Sequence, residues 1–361
     1  MEDLNRKLYP LRFIENNIDM PWGQICYQIA DLGFVDSMIS EGWFGGNTLS
    51  ELMGTYLERV VGDDSFEYYG LQFPLMVKVI KATACQPLQI NVGDKIAEER
   101  YDSFGKTALW YIKEASDDAS LYLGLKQDVE AGEFYQRCKD GTIREILNVV
   151  HPKAGDCFLI KPGTVFAAGP GLTIVEISEC SELSFNLEME LEEAFDLIDF
   201  HHYSPASDCV DPLATVATLG HVRGGTADKV GGGVREADVE QGVNTVGRTM
   251  AECDEFKVTM LQLENPVHIF SDQPGGFAIY HCIYGEAFIQ APNESGGFEN
   301  WFVKAGKSIL VPSEVNDYIL FAAEEGTRVL EAIVPKRSLP DSYYGDSPAD
   351  ENPDPHIRNW N

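Results

Sequence analysis

The most constraining feature of this chain is a succession of short apolar runs, each broken by Gly, Pro or Asp. Residues 75–81 (LMVKVIK) and 88–92 come first. Residues 108–113 (ALWYIK), 121–125, 157–160 and 172–177 follow. Runs this short, rich in β-branched and aromatic residues, suit strands better than helices. Their regular recurrence predicts a mainly β fold, a sandwich or barrel. A second set of strands is expected at 255–263, 277–283, 286–290, 301–303, 308–311 and 328–334.

Some segments depart from this pattern. Residues 48–61 place Leu49, Leu52, Met53, Tyr56 and Val60 at helical spacing. Residues 128–150 read as two helical stretches parted at Asp140-Gly141, and 191–200 (LEEAFDLIDF) as another. Over 201–247, Gly224-Gly225 and Gly231-Gly232-Gly233 interrupt a polar stretch that reads as a linker. A phosphate-binding loop would need a strand-to-helix setting and a Gly-Lys-Ser/Thr ending, which are missing. Gly306-Lys307-Ser308-Ile309-Leu310-Val311-Pro312 is similar to Gly155-Asp156-Cys157-Phe158-Leu159-Ile160-Lys161. That repeat suggests two related β units. The expected organisation is a first unit over 1–200 with inserted helices, a linker over 201–247, a second unit over 248–336, and a tail over 337–361. The tail is rich in Pro, Asp and Asn and is expected to be poorly ordered.

Charge narrows the partners. Lys and Arg number 27 against 58 Asp and Glu, a net charge of −31. Such a surface repels a nucleic-acid backbone or an anionic membrane. No apolar stretch reaches the ~18 residues of a membrane span, and Met1-Glu2-Asp3-Leu4-Asn5 has no leader character. The eight cysteines form no Cys-x-x-Cys pair, so reduced thiols in the cytoplasm are expected.

Several motifs, in order, resemble the bacterial mannose-6-phosphate isomerases. They are Tyr9-Pro10-Leu11 with Pro21-Trp22-Gly23, Phe73-Pro74-Leu75-Met76-Val77-Lys78, and Pro87-Leu88-Gln89-Ile90-Asn91-Val92-Gly93. Gly105-Lys106-Thr107-Ala108-Leu109-Trp110-Tyr111 and the segment from Gly155-Asp156 to Pro162-Gly163-Thr164-Val165-Phe166-Ala167 complete the series. The resemblance spans roughly residues 9–335. It implies two cupin-type jelly-roll barrels with a helical insertion in the first. It also implies interconversion of mannose 6-phosphate and fructose 6-phosphate, with zinc as Lewis acid.

The resemblance implies zinc ligands of one Gln, two His and one Glu. The matching positions hold Asn91, Gly93, Ala108 and Phe166. An amide oxygen is a weak zinc donor beside imidazole, and the other three side chains offer no donor. The family's catalytic Arg falls on Asn186. No zinc and no other cofactor are therefore expected, and Lys106 is a catalytic candidate only if activity persists. The candidate sugar-binding residues are Trp22, Gln89, Asn91, Lys106, Lys126 and Glu176. Trp22, Trp43 and Trp110 have apolar faces on which a sugar could stack, with core packing the favoured reading for each alone. Lys106 and Lys126 offer charge to a phosphate, while Lys161, Glu179 and Glu182 read as solvated. His151-Pro152 imitates a zinc motif from the wrong place. His201-His202 are adjacent and point apart, and His268 and His281 read as ordinary strand residues.

Three functions follow. The first is a zinc-less pseudoenzyme that binds a sugar or sugar phosphate, with no nucleic-acid or membrane partner and no protein partner identified. The second is an active aldose-ketose isomerase with a site rebuilt from Gln89, Asn91, Lys106 and Glu176 around a non-zinc ion. The third is a scaffold whose barrel is plugged by Phe166.

Overall fold

The computed structural model describes residues 6–203, 246–270, 276–293 and 296–337. Most of the expected linker and nearly all of the expected tail lie outside the described residues. The first half begins β1 (Asn16–Met20), β2 (Gly23–Ile29), α1 (Leu49–Tyr56), α2 (Glu58–Val61), α3 (Asp63–Tyr69) and β3 (Leu75–Ala82). It continues β4 (Gln89–Asn91), α4 (Asp94–Tyr101), β5 (Ala108–Ala115), β6 (Leu121–Leu125), α5 (Ala131–Lys139) and β7 (Leu147–Val150). It ends β8 (Cys157–Ile160), β9 (Val165–Ala168), β10 (Leu172–Glu179), β11 (Ser184–Asn186) and α6 (Leu191–Ala194). Two antiparallel sheets, ordered β1-β2-β3-β10-β5-β8 and β11-β4-β9-β6-β7, form the first jelly roll.

The second half is β12 (Val246–Glu252), β13 (Lys257–Gln262), β14 (Val267–Phe270), β15 (Ala278–Tyr284), β16 (Glu286–Pro292), β17 (Phe298–Lys304), β18 (Ser308–Val311), β19 (Asp317–Ala322) and β20 (Arg328–Ile333). Its sheets are ordered β12-β13-β20-β15-β18 and β14-β19-β16-β17. The order β3-β10-β5-β8 of the first half is repeated as β13-β20-β15-β18 in the second.

The repeat extends to single residues. Glu176 of β10 stands between Lys78 on β3 and Trp110 on β5. Glu331 of β20 stands between Thr259 on β13 and Tyr280 on β15. In both halves the buried carboxylate accepts a hydrogen bond from the aromatic neighbour: Trp110 Nε1 to Glu176 at 2.7 Å, and the Tyr280 hydroxyl to Glu331 at 2.7 Å. The two motifs first paired by sequence also occupy the same place, with Tyr111 opposite Cys157 and His281 opposite Ser308.

Why these central strands are apolar throughout follows from what covers them. On β5, Ala108, Trp110 and Ile112 face the interior of the first barrel, while Leu109 and Tyr111 face the second half. Buried on both sides, such a strand loses the polar alternation of a half-solvated one. The face between the barrels is one continuous core. It takes Val175 and Ile177 from the first half and Val258, Ile279, Leu310 and Leu330 from the second.

The inserted helices wedge into that same core. Thr48 caps α1 in a reciprocal box with Glu51. Leu49, Leu52, Met53 and Tyr56 are buried, each contributing roughly 1.5–3 kcal/mol. The helix expected over 48–61 breaks at Leu57, where φ is 51° and ψ −123°, and resumes as α2. Two further expectations are corrected. Only α5 and a short 3-10 turn at Ile143–Ile146 are helical within 128–150, because β7 pairs with β6. Within 191–200 the helix is one turn, α6, followed by a 3-10 turn at Phe195–Leu197.

The N-terminal segment crosses to the second half. Leu11 exchanges both backbone hydrogen bonds with Leu310, at 2.7 and 2.9 Å, and so covers the β18 edge. No helix among the described residues is long and apolar enough to cross a membrane.

Candidate functional site

The strand register places three residues in one row on the inner face of the first barrel: Lys78, Glu176 and Trp110. Lys106 enters from the turn before β5, and Glu182 from the connection between β10 and β11. Together they build a closed charge network. Lys78 lies 3.1 Å from Glu176, and Lys106 lies 3.2 Å from the same Oε1. Glu182 spans both lysines, its Oε1 bound by Lys78 and its Oε2 by Lys106 at 2.5 Å. The Tyr27 hydroxyl donates to Glu182 Oε1 at 2.9 Å.

Both lysine side chains are almost fully buried, at 5% and 4% exposure, whereas Glu182 keeps 21%. Burial alone would raise the carboxyls of Glu176 and Glu182, but Lys106 and Lys78 outweigh it and hold both below the usual range. Burial alone would lower Lys78, but Glu176 and Glu182 raise it. The Tyr27 hydroxyl is raised by burial and by Glu182. The quartet pairs two carboxylates with two lysines, so its formal charges sum to zero.

Above the quartet is a cavity of about 310 Å³, also lined by Met20, Trp22, Gln89, Phe166 and Ser184. It is amphipathic. Trp22 and Phe166 supply aromatic faces, while Gln89, Ser184 and the quartet supply polar groups. That combination suits a polyhydroxylated ring with one apolar face.

Of the sequence candidates, Trp22, Gln89, Lys106 and Glu176 meet here. Asn91 does not. It lines a separate cleft of about 300 Å³ with Gly93, Pro162 and Gly163. Its buried amide has no hydrogen-bond partner among the described residues on either atom. Lys126 is exposed and donates to the Glu145 carbonyl at 2.9 Å, outside the cavity. Trp43 is exposed beneath the Arg6 guanidinium in a cleft by the second barrel. Asn186 turns back to accept from the Glu188 amide at 2.9 Å.

Glu179 and Glu182 are not solvated as expected. Glu179 is 2% exposed and accepts from the Thr107 amide at 2.8 Å. Burial, then Asp94, push its carboxyl up to about 8. Sequence reasoning also passed over Lys78 and Tyr27. Lys78 did carry a signal, as the one charge inside the apolar run Leu75–Ile80.

The positions that match zinc ligands do not fit zinc. Ala108 is buried in the barrel interior. The Phe166 ring packs edge-to-face on Trp110, with centroids 5.4 Å apart. Gly93 has no side chain, and Asn91 offers one amide. Among the described residues, no group of three or more His, Cys, Asp and Glu is arranged to hold a metal ion.

Paired jelly rolls with an amphipathic cavity in the first define the class: a cupin-type fold. The chain matches no family model. It is 29% identical over 163 residues to a probable mannose-6-phosphate isomerase of Bacillus subtilis, covering 45% of this chain and 50% of that one. It is 27% identical over 151 residues to a mannose-6-phosphate isomerase of Streptococcus mutans, covering 42% and 46%. The chain thus spans about half the length of these curated relatives. The crystal structure of mannose 6-phosphate isomerase from Bacillus subtilis superposes with a TM-score of 0.70 at 16% identity, covering 91% of this chain and 100% of that one. By sequence the chain is similar to these mannose-6-phosphate isomerases over about half its length, and it has the fold of that solved structure.

Proposed function

We propose that this chain is a zinc-less pseudoenzyme of carbohydrate metabolism that binds a sugar or sugar phosphate in the first barrel. The observation that carries the reading is the pairing of an open amphipathic cavity with an aromatic contact, Phe166 on Trp110, at a position matching a zinc ligand. A ring that fills this space offers no donor to a metal. Zinc would otherwise polarise the substrate oxygens, and no residue of the quartet replaces a divalent Lewis acid. Trp22 offers a stacking face, Gln89 and Ser184 offer hydrogen-bonding groups, and Glu176 is held in place by Trp110. The cytoplasm, with its reduced thiols, is the compartment that suits the chain. Its seven described cysteines are free thiols.

The plugged-barrel scaffold is disfavoured by the cavity itself, which still has room for a monosaccharide. A discontinuous isomerase assay at high protein concentration tests the reading. Mannose 6-phosphate is supplied with zinc, with manganese and with chelator, and sugar binding is measured by calorimetry. No turnover together with sugar binding is expected. Turnover abolished by chelator would refute it.

A further inference from the structure

We propose that the Glu182 carboxylate occupies the seat an anionic substrate group would take, so that the cavity selects an uncharged sugar over a sugar phosphate. This rests on the sugar-binding reading above. Three donors converge on one two-oxygen anion: the ammonium groups of Lys78 and Lys106 and the Tyr27 hydroxyl. Such convergence is how a protein holds a carboxylate or a phosphate. Here the anion is part of the chain.

The charge count decides what else fits. Two lysines face two glutamates, and Glu176 already engages both ammonium groups from the other side. A phosphate dianion entering the cavity finds no uncompensated cation. It meets Glu182, the most exposed member of the quartet, first. Two carboxylates and a phosphate sharing a poorly solvated site repel strongly. An uncharged sugar escapes that cost. Its hydroxyls donate to the outer face of Glu182 and meet Gln89 and Ser184, while Trp22 covers a ring face.

Glu182 is also the member best placed to be changed. It belongs to a connection rather than a strand, so its removal leaves the ladder β3-β10-β5 intact. Without it, Lys78 and Lys106 face Glu176 alone, and the site gains one net positive charge beside a vacated seat.

The test compares the full-length wild type with Glu182→Ala, and with Glu182→Gln as a near-isosteric second variant. Calorimetry measures mannose, mannose 6-phosphate and inorganic phosphate against each. The wild type is expected to favour mannose over mannose 6-phosphate by about tenfold or more, and Glu182→Ala to gain at least about tenfold in phosphate affinity. Glu182→Gln should show the same gain in weaker form. Wild type that binds mannose 6-phosphate as tightly as mannose would overturn the inference. So would folded Glu182 variants that gain no phosphate binding. Wild type that binds no sugar would refute the sugar-binding reading instead, and the phosphate gain of the variants would then decide the anion seat by itself.

Discussion

Replacing Lys106 by Met tests the electrostatic account of the quartet. The methionine keeps the length and apolar body of the lysine, so packing changes little. What is lost is the charge that binds Glu182 at 2.5 Å and Glu176 at 3.2 Å. Two buried carboxylates then share Lys78 alone. Removing one partner of a buried ion pair costs about 3–5 kcal/mol, because the remaining charge stays desolvated. Unfolding entropy is about 2.1 cal/mol/K per residue, so for 361 residues melting as one unit the drop in Tm is roughly 4–7 °C. The pH dependence gives a sharper readout. In the wild type, both carboxyls are held below their usual range, so their stabilisation is present above the unfolded carboxyl pKa of about 4.3 and is lost as pH falls below it. In Lys106→Met, burial lifts one carboxyl, and protonating it removes the unpaired charge. The stability gap between the two proteins should be full at pH 7.5 and shrink toward pH 5. Urea unfolding at both pH values measures it. A gap that is equal at both, or absent at pH 7.5, would refute the assignment.

Glu179, whose carboxyl is pushed up to about 8, behaves in the opposite sense. Its contribution is present below the unfolded value near 4.3 and is lost as pH rises toward 8, so the gain of Glu179→Gln over the wild type should be larger at pH 8, by roughly 1–3 kcal/mol, than near pH 4 in urea melts. Phe166→Ala should cost about 3–5 kcal/mol in the same assay, since the ring packs in the barrel core against Trp110, and it should not create metal binding by equilibrium dialysis. Tyr280→Phe removes the hydroxyl that joins Tyr318 at 2.8 Å and Glu331 at 2.7 Å. It should destabilise the second barrel by about 1–3 kcal/mol without changing ligand affinity at the first, read by melting and calorimetry.

How much of this was legible in the sequence depends on range. Strand runs such as 75–81 and 108–113 are local signals, and β3 and β5 begin where the apolar runs do. The capping box at Thr48 and Glu51 is local too. The end of α1 is not: nothing in Leu57 marks the positive φ it adopts. The site divides in the same way. Glu176 and Lys106 lie in motifs, and the fold brings both to one cavity. Glu182 looks like a loop carboxylate, and only the folded chain shows it between Lys78, 104 residues away, and Lys106, 76 residues away. Asn91 shares β4 with Gln89, but only Gln89 lines the cavity above the quartet, while Asn91 is fully buried and borders the cleft by Gly93.

The core shared by the two barrels has a consequence for how binding could be felt elsewhere. Proteins that close on a ligand by bending at a hinge need a thin, polar seam between their parts. Here the seam is a broad apolar core among the described residues, joined by residues of α1 and α2 and by Leu11 paired to β18. A swing of the halves would have to break that shared core. A ligand held in the first barrel as proposed would therefore make itself felt at the rim, where the short connection carries Glu182, rather than by a hinge.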